Sequence, residues 1–256
     1  DGRYRLGCEG VLYILIEPFA PDQQLIDAFW QHIEQRKPLK LISQYTRKQK
    51  EDRQLGSFFV FDDKIIPLRK ELVRSEVLEG FKQELAPCFR LLIIGGEHDA
   101  VSLCRQASNL GWEVHIVTHP TDEKSIQSFK GATQFSKITA EDLGIIDIDR
   151  ETAVMLMTHS YAKDLQFLIA LKDQQMAYLG ILGPSARREE LLHEFLEHCP
   201  DVEESFLDGI HGPAGLNIGA ETAQEIGISI LSEILSVIRG QDVVPLKDKE
   251  GRIHTS

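Results

Sequence analysis

The stretch from Leu91 to Pro120, LLIIGGEHDAVSLCRQASNLGWEVHIVTHP, constrains the fold more than any other part of the chain. An apolar run of strand length, Leu91 to Ile94, meets a turn at Gly95-Gly96. A helical segment from Ala100 to Leu110 follows, closed by Gly111, and a second apolar run spans Val114 to Val117. Two apolar strands joined by a helix read as a βαβ unit, whose strands must lie parallel. The glycine turn delivers the chain to a helix amino terminus, where backbone N–H groups favour an anion. The unit reads as the opening of a nucleotide-binding α/β domain. It departs from a dinucleotide fingerprint in two places. Glu97 stands where a glycine would let backbone approach a pyrophosphate, and Thr118-His119 stand where an acid would hold a ribose.

The alternation continues downstream. Strands are predicted at Ala153–Met157 and Tyr178–Leu182, a short helix at Ser125–Phe129, and helices at Ala162–Lys172, Arg187–His198 and Glu221–Ile238. The expected architecture over 88–240 is a Rossmann-like parallel sheet with helices on both faces, followed by a polar tail over 241–256. Residues 1–87 read as a smaller β-rich α+β domain. Its expected strands are Val11–Glu17, Leu39–Tyr45, and a hairpin of Ser57–Phe61 with Lys64–Leu68 around Asp62-Asp63. A helix over Leu25–Ile33 puts Leu25, Ile26, Phe29, Trp30 and Ile33 on one face. Arg47–Arg53 reads as a solvated loop, and the polar stretch from Glu71 to Pro87 as the domain boundary. The chain opens at Asp1 without methionine, so a preceding N-terminal part is expected.

Forty acidic against 28 basic side chains give a net charge of −12, which repels phosphate backbones and anionic lipid. No nucleic-acid or membrane partner is expected. The longest apolar runs are strand-sized, and no signal peptide is evident. The cysteines, Cys8, Cys88, Cys104 and Cys199, form no C-x-x-C pair and read as reduced thiols of a cytoplasmic protein. Cys104 is expected in the core, with Cys88 and Cys199 also structural. Cys8, flanked by Gly7 and Gly10, is either a thiol tucked into a turn or a reactive one. There is no G-x-S-x-G elbow and no H-E-x-x-H motif, so neither a nucleophilic serine nor zinc is expected.

Ligands of an open α/β sheet bind beyond the carboxyl ends of the strands. Three strand ends should therefore share one crevice: Gly95-Gly96-Glu97-His98, Thr158-His159-Ser160, and Gly183-Pro184-Ser185 with Arg187-Arg188. His98 and His159 are candidate ligand contacts or proton carriers. Asp164 reads either as part of this site or as a favourable charge at a helix start. Arg187 and Arg188 oppose the macrodipole of their own helix, which suits either an anionic ligand or a surface salt bridge. The Gly212–Ala220 segment, with Gly215 and Asn217, should pack under the same crevice.

In order, LGCEGVLYILIEP, LLIIGGEHDA, MTHSYAKD, AYLGILGPSARREEL and GPAGLNIGAETAQEIGISILSEIL resemble the xanthine dehydrogenase accessory factor family, XdhC/CoxI. The last two segments carry the resemblance most specifically: a Y-x-G-x-x-G-S-x-x-R loop and a P-x-G-L-x-I-G-A segment leading into a helix. The resemblance implies a Rossmann-like C-terminal domain and a chaperone for the molybdenum cofactor. Such a protein would bind the cofactor transiently, support its sulfuration with a sulfurtransferase, and pass it to xanthine dehydrogenase or a related molybdenum hydroxylase. By this resemblance the cofactor-binding residues are Cys8, Gly95, Gly96, His98, Thr158, His159, Asp164, Gly183, Ser185, Arg187, Arg188, Gly215 and Asn217. Glu97 replaces a family glycine, Asn217 a usual aspartate, and the upstream G-G-C-x-E segment is absent. An accessory protein is thus expected rather than a turnover enzyme. The alternatives are an NAD(P)-dependent oxidoreductase and a scaffold of the same fold. The Ile226–Ile238 stripe fits packing on the sheet, or a homodimer.

Overall fold

A computed structural model describes residues 14–46, 54–75 and 79–249 and divides the chain into two compact units, Asp1–Pro87 and Cys88–Ser256.

In the first unit, helix α1 (Gln23–Glu34) opens on Asp22, whose carboxylate accepts the Leu25 N–H at 2.9 Å. Strands β1 (Leu39–Tyr45), β2 (Gly56–Phe61), β3 (Lys64–Pro67) and β4 (Glu79–Leu85) form an antiparallel sheet ordered β3-β2-β1-β4. Leu25, Leu39, Phe61, Ile66 and Leu68 make its core. Three expectations need correction. Residues 14–17 of the proposed first strand carry no ladder; Ile14 and Ile16 are exposed, and Glu17 is held instead by its side chain on Ser57. Trp30 and Ile33 of α1 are exposed, while His32 is buried edge-on to Phe61. The polar stretch before Pro87 contains β4, exposed along its whole length, so no alternation betrayed it. The Arg47–Arg53 loop lies outside the described residues.

The second unit is a parallel sheet of β5 (Arg90–Ile94), β6 (Glu113–Thr118), β7 (Gln134–Lys137), β8 (Thr152–Leu156), β9 (Tyr178–Ile181) and β10 (Ile210–His211). The order is β10-β9-β8-β5-β6-β7. Counted from β5 this is the 3-2-1-4-5-6 order of the Rossmann fold, and the order in which strands are added reverses between β5 and β8. Strand burial on both faces explains the unbroken apolar runs. Leu91, Ile93, Ile116 and Met155 pack against α2 (His98–Asn109) and α6 (Ala223–Arg239), which supplies Ile230, Leu231 and Ile234. Leu92, Ile94, Val154 and Leu156 pack against α3 (Tyr161–Leu171) and α4 (Ser185–His198). The apolar stripe of α6 is thus used within the chain. Gly111 follows α2 at φ 81°, as its position after the last turn requires. Cys104 and Cys199 are buried and Cys88 is exposed; burial pushes the Cys104 thiol up to about 11, which keeps it inert. Strands β7 and β10 and the short helix α5 (Glu204–Asp208) have too few residues to show a period.

Candidate functional site

The carboxyl ends of β5, β8 and β9 carry the three loops singled out above. Gly95 ends β5 at φ 146°, and a Cβ there would lie 2.2 Å from the Met157 carbonyl oxygen. Only glycine lets these two loops run side by side at the point of strand reversal. Gly96 abuts the side chains of Thr118, at the end of β6, and Asp122 in the loop that follows. Glu97 precedes α2, yet its carboxylate caps no N–H; it pairs with Lys124 at 3.1 Å. The glutamate that displaces a phosphate-binding glycine therefore has its own cation.

Across the reversal point, His159 Nε2 stands 3.3 Å from Asp99 Oδ2 of α2. His159 adopts φ 57°, a left-handed conformation uncommon for a residue with a side chain. This backbone bend turns the imidazole toward α2, where it remains 47% exposed. His98 lies elsewhere, lining a hollow on the flank of α2 with Arg105 and Lys130. Asp99, the next residue, is thus the partner of His159, and nothing in its own segment marks it beyond an acid in a first helical turn.

Asp164 is buried, with its side chain 1% exposed. Its Oδ1 accepts the Thr158 N–H at 3.2 Å and the Thr158 hydroxyl at 2.6 Å, and its Oδ2 accepts from Arg187 at 2.6 Å. It is neither a helix-start charge in solvent nor a group free for ligand; it anchors the β8 loop to α4. Arg187 accordingly makes an internal pair rather than a surface one, lies over the Tyr161 ring at 5.9 Å, and keeps a buried Nε without a partner. Gly183, at φ 128°, leaves room for its stem: a Cβ would sit 2.9 Å from Arg187 Cδ. Arg188 crosses Gly212, reaches the Ile210 carbonyl at 3.5 Å, and also keeps an unpartnered buried Nε. Ser185 begins α4 beside them.

The last segment behaves differently. Gly215 donates its N–H to Glu233 at 2.8 Å, and Ser229 of α6 donates to the Leu216 carbonyl at 2.5 Å. Glu233 also accepts the Tyr178 hydroxyl at 2.5 Å and lies 3.4 Å from His211, on which the Tyr178 ring stacks. Gly180 makes room for that ring, since a Cβ there would meet Tyr178 Cε1 at 2.7 Å. Burial alone would raise the Glu233 carboxyl. The hydrogen bonds from His211, Tyr178 and Gly215 outweigh it and hold the carboxyl below its ordinary value. Burial and the bond to Glu233 push the Tyr178 phenol upward. Gly215 is therefore part of a structural network, while Asn217 is exposed. Tyr178, His211 and Glu233 were not predicted as a unit; only their folding together reveals it. Cys8 lies outside the described residues.

Known proteins share this arrangement of strands. The model of the XdhC Rossmann domain matches residues 91–234. A protein of Escherichia coli K12, YqeB, is 32% identical over 152 residues, covering 58% of this chain and 27% of the relative. A Bacillus subtilis 168 protein described as a probable subunit of xanthine dehydrogenase is 28% identical, covering 64% of this chain and 47% of the relative. The molybdenum cofactor insertion chaperone PaoD of Escherichia coli K12 is 26% identical, covering 91% of this chain and 61% of the relative. The chain thus spans between about a quarter and three-fifths of the length of these curated relatives. A crystal structure of a xanthine dehydrogenase from Bacillus halodurans shares the fold at TM-score 0.70 and 22% identity, over 89% of this chain and 66% of that one. With a match extending over more than half of its residues, and the strand order to go with it, this chain belongs to the XdhC Rossmann domain family.

Proposed function

We propose that the chain binds the molybdenum cofactor at the carboxyl edge of its parallel sheet. In this reading it is an accessory factor that hands the cofactor to a xanthine dehydrogenase-type molybdenum hydroxylase, with a sulfurtransferase as a second partner. Membership of the family and the names of the Bacillus subtilis and PaoD relatives support the reading.

The observation that carries it is the set of three acid–base pairs around the strand reversal: Glu97–Lys124, Asp99–His159 and Asp164–Arg187. Each of these carboxylates has a basic partner. The α2 amino terminus and the Arg188 guanidinium, which has no ion pair among the described residues, are then left to favour a negatively charged ligand. These donors suit a pterin that carries a phosphate. The cofactor, when bound, supplies redox chemistry to its eventual enzyme; the residues here would bind and orient it. Gly95, Gly96 and Thr158 would present backbone, His159 an imidazole, and Arg187 its remaining guanidinium N–H groups.

Equilibrium binding of the purified protein to molybdenum cofactor under anaerobic conditions, with NADH in parallel, tests this. Binding of the cofactor alone, lost in His159→Asn, is expected. Binding of NADH alone would make the protein a redox enzyme, and binding of neither would leave a scaffold of the same fold. No described helix is long and apolar enough to cross a membrane.

A further inference from the structure

Separate from that crevice, a hollow of about 280 Å³ opens on the flank of α2. His98, Ser102 and Arg105 fall at i, i+4 and i+7 on one helix face and line it. Ser128 and Lys130 close one side and Gln224, just inside α6, the other. Ser102 is 4% exposed, and its hydroxyl has no hydrogen-bond partner among the described residues. A buried hydroxyl without a partner is costly, and Ser102 is one of the residues that line this hollow, within reach of a ligand that enters it. The three basic side chains at the rim, His98, Arg105 and Lys130, make no ion pair among the described residues. The carboxylates nearest in sequence are engaged elsewhere: Glu97 on Lys124, Asp99 on His159, and Glu225 on the N–H groups of Glu221 and Thr222.

We propose that this hollow binds a phosphoryl group. In a chain of net charge −12, unpaired basic groups around one hollow are set against the general repulsion of anions. Arg105 and Lys130 supply charge, Ser102 and Ser128 supply hydroxyls, and His98 donates from a ring nitrogen in either charge state. The volume lies just below the usual range for whole small-molecule sites, about 300–1,000 Å³, and leaves room for a phosphoryl group. The walls are firm. Gln106 of α2 donates to the Gln224 carbonyl at 2.9 Å, and Gly227 admits the Gln106 amide, since a Cβ there would lie 2.2 Å from its oxygen. The inference stands apart from the cofactor reading.

Calorimetric titration of the whole chain with inorganic phosphate at constant ionic strength tests it. Saturable one-to-one binding is expected. Arg105→Gln and Lys130→Gln should each weaken it by about tenfold. Ser102→Ala, which keeps the helix and the packing, should weaken it by about threefold. Lys247→Gln, an exposed lysine away from the hollow, should leave it unchanged, with thermal melting confirming that each variant folds. Glycerol 3-phosphate in a second titration separates the two sources: equal binding marks a site for the phosphoryl end of a larger molecule, and binding of inorganic phosphate alone marks a site for the free ion. No saturable binding, or binding that all three site variants leave intact, overturns the proposal.

Discussion

Two histidine–carboxylate pairs belong to one parallel sheet and its helices, His159 after β8 with Asp99 of α2 and His211 of β10 with Glu233 of α6. Their separations are nearly equal, 3.3 and 3.4 Å. Their surroundings are not. Glu233 also takes the Tyr178 hydroxyl and the Gly215 N–H, under a stacked aromatic ring. Asp99 has no further bond of that kind among the described residues, and its histidine is held at a strained φ with half its surface open. A pair whose carboxylate is taken up by further buried donors is structural, because those bonds fix the fold around it. A pair held open by backbone strain keeps capacity for a ligand. The same two residue types therefore serve opposite ends, decided by what else reaches the carboxylate.

Substitutions sharpen this contrast, and the largest effect is expected beneath the open pair. Arg187→Leu strands the buried Asp164 carboxylate and should cost about 3–5 kcal/mol in urea unfolding. A loss under about 1 kcal/mol would show that Asp164 is relieved by other groups. Next, Tyr178→Phe deletes a buried hydroxyl from the closed network and should cost about 1–2 kcal/mol while leaving cofactor binding unchanged. His159→Asn should do the converse: asparagine tolerates the left-handed conformation, so stability should move by less than about 1 kcal/mol while cofactor binding falls. If His159→Asn destabilised the fold as much as Tyr178→Phe, the distinction between the two pairs would collapse.

The smallest effect is in pH dependence. The folded Glu233 carboxyl titrates below its ordinary value of 4.5. Its contribution to stability is therefore full above that value and lost as pH falls through the lower folded one. The difference in melting temperature between the wild type and Glu233→Gln should shrink as pH drops below 4.5. His115 gives a larger slope in a neighbouring window. Burial, with Arg90 beside it, lowers its imidazole from 6.5 to about 4, so the unfolded chain binds a proton that the folded chain does not. Stability should fall as pH drops from 6.5 toward 4, and His115→Gln should flatten that slope.

The parallel sheet was legible because its strands are buried on both faces and therefore apolar throughout, and because glycines mark its turns. The first unit was less so. β4, with polar residues on both exposed faces, looks like a linker in one dimension, and α1 turns His32 inward while Trp30 faces out. Of the site, the sequence pointed to the strand ends but not to their partners. Lys124 and Asp99 pair with residues far along the chain, and Asp164 reads either as part of the site or as a charge at a helix start until Arg187 folds over it. His98, read as a companion of His159, lines a different hollow because successive helical residues face about 100° apart.

The sequence by itself determined the α/β class, the four central strands of the parallel sheet and the glycine positions at its turns. Hydrophobic period and backbone sterics act locally and leave their mark in order along the chain. Only the tertiary structure decided which charges pair, which histidine is open and which is locked, and where a buried hydroxyl lacks a partner. Those outcomes depend on distances between segments that sequence separation does not encode, and in a low-dielectric interior a single such contact decides whether a polar group is structural or free.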